Sequence, residues 1–118
     1  MRKRNLSAAK RIHNFYLDKL KNPKIKKIYL EFERNLGSFN LAKFSIAVSG
    51  GIDSMALAFL AKCHSIKRKQ NHLYFTVDHK LRSTSTKEAI QTKKQLKKYG
   101  INCDILTWTN NKTSSNFQ

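Results

Sequence analysis

The sequence predicts an open parallel α/β sheet with flanking helices, preceded by two N-terminal helices, and three observations carry that prediction. Apolar residues recur at helical spacing through the first 36 residues. Beyond them, β-branched or aromatic runs alternate with helical stretches in the order strand, helix, strand, helix, strand. The first of these strands passes through a glycine pair straight into a helix-forming run, Phe44-Ser45-Ile46-Ala47-Val48-Ser49-Gly50-Gly51-Ile52-Asp53-Ser54-Met55-Ala56-Leu57, which reads as strand, phosphate loop and helix.

Taken in order, Ile12, Phe15, Tyr16 and Leu20 share one helical face behind a Ser7 cap, and Asn22-Pro23 interrupts the pattern. A second helix starts near Pro23 and places Ile25, Ile28, Tyr29, Phe32 and Leu36 on one stripe, with Gly37 to end it. Lys21, Lys24, Lys26 and Lys27 gather at its start, where positive charge opposes the helix dipole; a solvated lysine face and an RNA contact both account for the cluster. These helices form an extension over residues 1–40, and the alternating strands and helices occupy 41–118. From Leu41 a short β-rich run leads to a helix from about Ser54 to Lys69, apolar on nearly every side of its first two turns and so expected to be buried against the sheet. Lys67, Arg68 and Lys69 close it at the negative end of the dipole. A second strand follows at Leu73-Tyr74-Phe75-Thr76-Val77. The next helix runs from about Thr86 to Tyr99, with Ala89, Thr92, Leu96 and Tyr99 on one face and Gly100 as its stop. The third strand lies near Cys103–Trp108. Strand, helix and strand in so short a length favour right-handed parallel connections.

The 118 residues give room for one domain or part of one, and 40% hydrophobic content supports a modest core. Cys63 and Cys103 form no C-x-x-C pair and fall in structured segments, so buried reduced thiols are expected, as suits a cytoplasmic protein. No apolar run is long enough to cross a bilayer. The formal charge of +17 favours a polyanionic partner, nucleic acid first. The excess is spread, +8 over residues 1–40 and +9 over 41–118, and lysine outnumbers arginine 18 to 6, so a lysine-rich composition is the competing account.

The glycine pair is where the chemistry begins. Gly50 and Gly51 give access to backbone angles closed to other residues and let a ligand approach the main chain, while Ser49, Asp53 and Ser54 supply polar groups at the start of the helix. The first helical turn directs N–H groups and the positive dipole end at the same space, which suits an anion. The spacing is neither that of the Gly-x4-Gly-Lys-Ser/Thr loop nor Gly-x-Gly-x-x-Gly. Strand two ends in Val77-Asp78-His79-Lys80-Leu81-Arg82, and the carboxyl ends of strands in open parallel sheets border the ligand crevice. Asp78 could hold magnesium or an amine, His79 could move a proton near neutral pH, and Arg82 could grip a phosphate, or all three could simply cap a loop.

Ser49-Gly50-Gly51-Ile52-Asp53-Ser54 resembles the pyrophosphate loop of the ATP pyrophosphatases, which include GMP synthetases, asparagine synthetases, tRNA sulfur-insertion enzymes and tRNA(Ile)-lysidine synthases. Asp78-His79-Lys80-Leu81-Arg82 and Ser85-Thr86-Lys87-Glu88-Ala89 are similar to the Asp-His-x-Leu-Arg and Ser-x-x-Glu-Ala segments of the tRNA(Ile)-lysidine synthases. Trp108, Lys112 and Ser115-Asn116-Phe117-Gln118 resemble the stretch after the third strand in that family, so the likeness covers about 43–118. Lys80 stands where the family often has Gly, Ser83 where it often has Pro, and Ile52 at a variable loop position often held by Pro or Val.

The resemblance implies an adenine nucleotide alpha hydrolase-like, Rossmann-like fold. It implies ATP and magnesium as cofactors, and tRNA(Ile) and free L-lysine as partners. ATP binding falls to Ser49, Gly50, Gly51, Ile52, Asp53 and Ser54, with Asp53 as magnesium ligand or loop organiser. Asp53, Asp78, His79 and Arg82 are the expected catalytic set. Family members continue with an Arg-rich helix, a His/Asp-Asp motif and further tRNA-binding domains, so the sequence is expected to be an incomplete domain. Two alternatives stay open: another pyrophosphatase-loop enzyme that thiolates tRNA, and a non-enzymatic basic RNA-binding module. The lack of C-x-x-C weighs against the first. The strand-to-helix loop weighs against the second, as do aromatics such as Phe15, Tyr16, Phe59 and Phe75, which fit core positions better than stacking surfaces.

Overall fold

A computed structural model describes residues 7–38, 43–81 and 83–108. Leu41, Arg82, Lys112 and Ser115-Asn116-Phe117-Gln118 lie outside the described residues. The elements are α1 (Ala8–Lys19), α2 (Pro23–Ser38), β1 (Ser45–Ala47), α3 (Ile52–Arg68), β2 (Leu73–Asp78), α4 (Ser85–Lys98) and β3 (Cys103–Thr107). The strands form one parallel sheet in the order β1-β2-β3, so the open parallel α/β architecture with two leading helices is the one the chain adopts. No helix among the described residues is long and apolar enough to cross a membrane. Contacts group the chain into two units, Met1–Phe44 with Phe59–His72, and Ser45–Ala58 with Leu73–Gln118.

In the helical unit Ser7 caps α1, its Oγ accepting the Lys10 N–H at 3.1 Å. Asn22 does the same for α2, accepting the N–H groups of Lys24 at 2.9 Å and Ile25 at 3.3 Å. Pro23 occupies the first helical position, where its missing N–H costs nothing. Asn22-Pro23 is therefore a start as well as a break. Gly37 does not end α2, which runs on to Ser38. Tyr16, Tyr29 and Cys63 form the core, with Ile12, Leu20, Phe32, Phe59, Leu60 and Ile66 packed against it. The buried stripe of α2 is narrower than its apolar spacing suggests: Tyr29 is buried, Ile25, Phe32 and Leu36 are half-buried, and Ile28 is 53% exposed. Phe15 lies at the surface, edge-on to Tyr16 at 5.2 Å and 5.4 Å from the Lys19 ammonium. Arg68 bridges to Glu33 at 2.9 Å, and the Tyr29 hydroxyl donates to the same carboxylate at 3.2 Å. Both cysteines are free and buried, as expected, and burial pushes the Cys63 thiol up to about 12.

Phe44 stacks on His72 at 3.8 Å, and His72 on His64 at 5.0 Å. The Phe44 N–H donates to His72 Nδ1 at 3.4 Å, so His72 carries its proton on Nε2 and donates it to His64 Nδ1 at 2.9 Å. Each ring's neutral form is thus the one its neighbours require.

In the sheet unit α4 packs on β2 and β3 through Ser85, Ala89, Thr92 and Leu96. Tyr99, expected on that face, is 42% exposed because it is already the C-cap. Gly100 takes φ +76°, and the N–H groups of Gly100 and Ile101 return to Lys97 O and Leu96 O, each at 3.0 Å, the paired bonds of a left-handed helix stop. The first turns of α3 are not buried all round: Ile52 is 88% and Leu57 41% exposed, and burial sets in at Ala58. The helix begins at the carboxyl end of β1, where it carries the loop rather than covering the strands.

Lys69 closes α3 in the same left-handed conformation, with φ +56° and the Gln70 N–H on Ser65 O at 3.0 Å. A side chain is disfavoured there, so Lys69→Gly is expected to raise stability by about 0.5–1 kcal/mol in chemical denaturation. Burial holds both stacked histidines below the ordinary 6.5; for His72, burial, His64 and Lys43 bring the value to about 4. The unfolded chain then binds protons that the folded chain refuses, so stability is full above 6.5 and falls as the pH drops towards about 4. Denaturation midpoints across that window should show the fall, and His72→Gln should flatten it.

Candidate functional site

The carboxyl ends of two strands bring the site together. Past the end of β1 the Val48 N–H still pairs with Phe75 O at 2.7 Å, and past β3 the Trp108 N–H pairs with Asp78 O at 2.7 Å. Ser49 and His79 therefore leave the sheet at the same edge.

Ser54, in the first turn of α3, ties the loop together. Its hydroxyl oxygen accepts the N–H groups of Ser49 at 3.1 Å and Gly50 at 3.2 Å and donates to Gly51 O at 3.1 Å. The Ser49 hydroxyl lies 3.0 Å from it and accepts the Gly51 N–H at 3.2 Å. Gly51 O accepts the Met55 N–H at 2.9 Å, the first bond of the helix, so Gly51 is the N-cap. The two glycines differ. Gly50 has φ +96°, and a Cβ there would stand 2.6 Å from Thr92 Oγ1; Gly51 has no left-handed φ, and its nearest neighbour would be Ser49 Oγ at 3.5 Å. The left-handed position belongs to Gly50 alone.

Beside the loop a cavity of about 370 Å³ opens between the strand ends, at Val48, Ser49, Thr76 and His79, and α4, at Glu88 and Thr92. His79 is exposed at this cavity, and Asp53 is exposed in the first turn of α3. Asp78 is turned inward and only 2% exposed. Its Oδ2 accepts the Thr86 hydroxyl at 2.6 Å and its Oδ1 the Lys80 N–H at 3.0 Å, with the Lys80 ammonium 3.8 Å away. The Thr86 hydrogen bond above all, with the Lys80 N–H, the Lys80 ammonium and His79, holds the carboxyl below its ordinary 3.8 against the opposing effect of burial. Lys80 has φ +57°, which explains why glycine suits that position, and its ammonium donates to Thr86 Oγ1 at 3.2 Å.

Of the residues singled out by sequence, Ser49 and His79 line one cavity, whereas both Asp78 oxygens are engaged by Thr86 and the Lys80 N–H. Arg82 lies outside the described residues. Thr76, Glu88 and Thr92 line the cavity without having been expected to. The signal for the α4 pair was their helical spacing with Ser85 and Ala89, on the helix that follows the carboxyl end of β2. No cluster of three or more His, Cys, Asp or Glu side chains that could hold a metal occurs among the described residues. Asp53 beside a phosphate loop does match how magnesium is usually held, by one or two carboxylates together with substrate phosphates and water.

The family profile described as a PP-loop domain matches residues 19–118. A protein named tRNA(Ile)-lysidine synthase from Rickettsia bellii (strain OSU 85-389) is 35% identical over 95 residues, covering 77% of this chain and 22% of that protein. One of the same name from Rickettsia rickettsii (strain Sheila Smith) is 45% identical over 65 residues, 52% of this chain and 14% of that protein. Another from Rickettsia typhi (strain ATCC VR-144 / Wilmington) is 43% identical over 65 residues, 52% of this chain and 15% of that protein. The chain thus spans less than a quarter of the length of these relatives. No solved structure matches it.

The unequal glycines make a sharp test. Gly50→Ala is expected to cost about 2 kcal/mol or more in denaturation, from its left-handed φ and the contact with Thr92. Gly51→Ala is expected to fold with stability close to that of the parent.

Proposed function

The chain belongs to the PP-loop domain family, and on that premise we propose that it is the nucleotide-binding part of a tRNA(Ile)-lysidine synthase. In this reading residues 1–40 are a helical extension and 41–118 the first part of the ATP-binding domain. The observation that carries it is the Ser49–Ser54 loop, left-handed at Gly50 and opening a helix beside a cavity at the carboxyl edge of a parallel sheet. The relatives' names supply the acceptor.

The reaction has two displacements. The C2 oxygen of the cytidine at the first anticodon position attacks the α-phosphorus of ATP, and pyrophosphate leaves. The amine of free lysine then attacks C2, and the oxygen departs with AMP. A ring carbonyl oxygen is a poor leaving group until it is converted to an AMP ester, which is why ATP is spent.

The loop amides and the start of α3 receive the polyphosphate, which must displace the Ser49 and Gly50 N–H groups from Ser54 Oγ. The cavity takes the nucleoside. His79, exposed at its wall, would accept a proton from the attacking amine. Asp78 acts behind it by fixing the segment that presents His79, and Arg82, by resemblance, would offset charge on the phosphates. Asp53 would hold magnesium, which when bound offsets charge on the polyphosphate.

The buried thiols disfavour the thiolating alternative: neither Cys63 nor Cys103 is exposed, and both are pushed away from the thiolate form by burial. In the protein that carries this chain, ATP, magnesium, lysine and an isoleucine tRNA transcript should give lysine-dependent AMP release and the mass gain of one lysine residue on one cytidine. Asp53→Ala should lower that AMP release by about 100-fold or more while the fold persists. Release that ignores lysine, or a gain of one sulfur, would replace this reading with another.

A further inference from the structure

The turn between α1 and α2 gathers a cluster of lysines. Lys19, Lys21, Lys24, Lys26 and Lys27 fall within nine residues that contain no acidic residue, and all five are exposed. Asp18 reaches Lys21 only at 3.8 Å, with both side chains largely in solvent. The first turn of α2 has no acidic residue, so Lys24, Lys26 and Lys27 meet the positive end of its dipole unrelieved. The helix does not need them, since Asn22 supplies the cap. Lys21 and Lys26, joined by Lys67 from the last turn of α3, rim a groove of about 430 Å³ floored by Leu17, Leu20 and Leu30. The PP-loop match begins only at residue 19, so one wall of the groove, α1, lies almost wholly before the region shared with the family.

We propose that this lysine-rimmed groove is a docking surface for the sugar–phosphate backbone of the tRNA substrate, a proposal that rests on the tRNA-modifying reading above. The charge selects a polyanion, and at +17 a second copy of the chain would be repelled. Lysines on flexible stems suit phosphates met as point charges. The floor of the groove is aliphatic, and the one aromatic ring that lines it, Tyr29, is 1% exposed, so the groove takes the backbone without reading bases. Its role is to hold the tRNA by its backbone.

The test compares two triple variants of equal charge change in the protein that carries this chain. Lys21→Gln with Lys24→Gln and Lys26→Gln removes the patch. Lys94→Gln with Lys97→Gln and Lys98→Gln removes exposed lysines from the end of α4, where the dipole favours them. For an isoleucine tRNA transcript, the patch variant should bind about 10-fold more weakly near 0.1 M salt, with the slope of log K against log salt shallower by about 2–3. The α4 variant should bind within about 3-fold of the parent. The patch variant should also melt about 2 °C higher, since an unfavourable helix charge is gone; a merely structural cluster would not join weaker binding to a higher Tm. Equal losses in both variants, no tRNA binding by the parent, or displacement of the tRNA by poly-L-glutamate at matched charge would each overturn the proposal, the last in favour of an acidic protein segment. A patch variant that binds like the parent in a protein that still makes lysidine sinks the surface alone. Patch-dependent tRNA binding without lysidine sinks the reaction alone.

Discussion

The contact on which the site depends is the approach of α4 to the loop after β1, at Gly50 and Thr92. Only a hydrogen at the Gly50 α-carbon leaves room for Thr92 Oγ1, which is itself held by donating to Glu88 O at 3.0 Å. Because Thr92 sits on the face that packs α4 against β2 and β3, the loop is referenced to the sheet through a side chain as well as through β1. The last rung, Val48 to Phe75, completes the constraint by fixing the height at which Ser49 leaves the strand. A loop held from both sides keeps its backbone path without a ligand to order it.

That order is maintained by a competitor. Ser54 Oγ satisfies the very amides that an anion would use, so binding exchanges two neutral hydrogen bonds for charge-assisted ones, which are roughly twice as strong. Nothing has to be desolvated and left bare in the interval. Asp78 is held in a comparable way one strand away: its buried carboxylate is matched by Thr86, the Lys80 N–H and the Lys80 ammonium.

The periodic features were legible in the sequence. Helical spacing found α1 to α4, the β-branched runs found the three strands, and Gly100 marked the end of α4. What composition could not reveal was which glycine of the pair is left-handed, because glycine permits it at both positions, nor that Thr92 leaves no room for a Cβ at Gly50. It also could not reveal that Leu57 and Ile52 are exposed or that Ile28 misses the α2 core, since burial depends on the partner element and not on the helix itself. The place of Asp78 at the carboxyl end of β2 was legible, but its inward turn depends on Thr86, eight residues on and across a loop. Glu88 and Thr92 reach the cavity by the packing of α4, which a one-dimensional reading registers only as a helical face.

Lysine abundance can be sorted by what each local structure asks of the side chain. At Lys69 the left-handed backbone is occupied by a lysine that the end of α3 does not require, and its positive charge merely agrees with the dipole. At Lys80 the same backbone conformation is offset, since the ammonium reaches both Thr86 and the buried Asp78. Lysine there replaces glycine with a structural return. The first turn of α2 differs from both: three lysines oppose the dipole, and among the described ion pairs none relieves them. A compositional drift towards lysine predicts tolerance at neutral places, as along the exposed face of α4, and gives no reason for concentration where the helix is destabilised. Charge kept against a local cost is better explained by an anion outside the chain than by composition, and the lysine-rimmed groove that α2 shares with α1 and the end of α3 is where such an anion would lie.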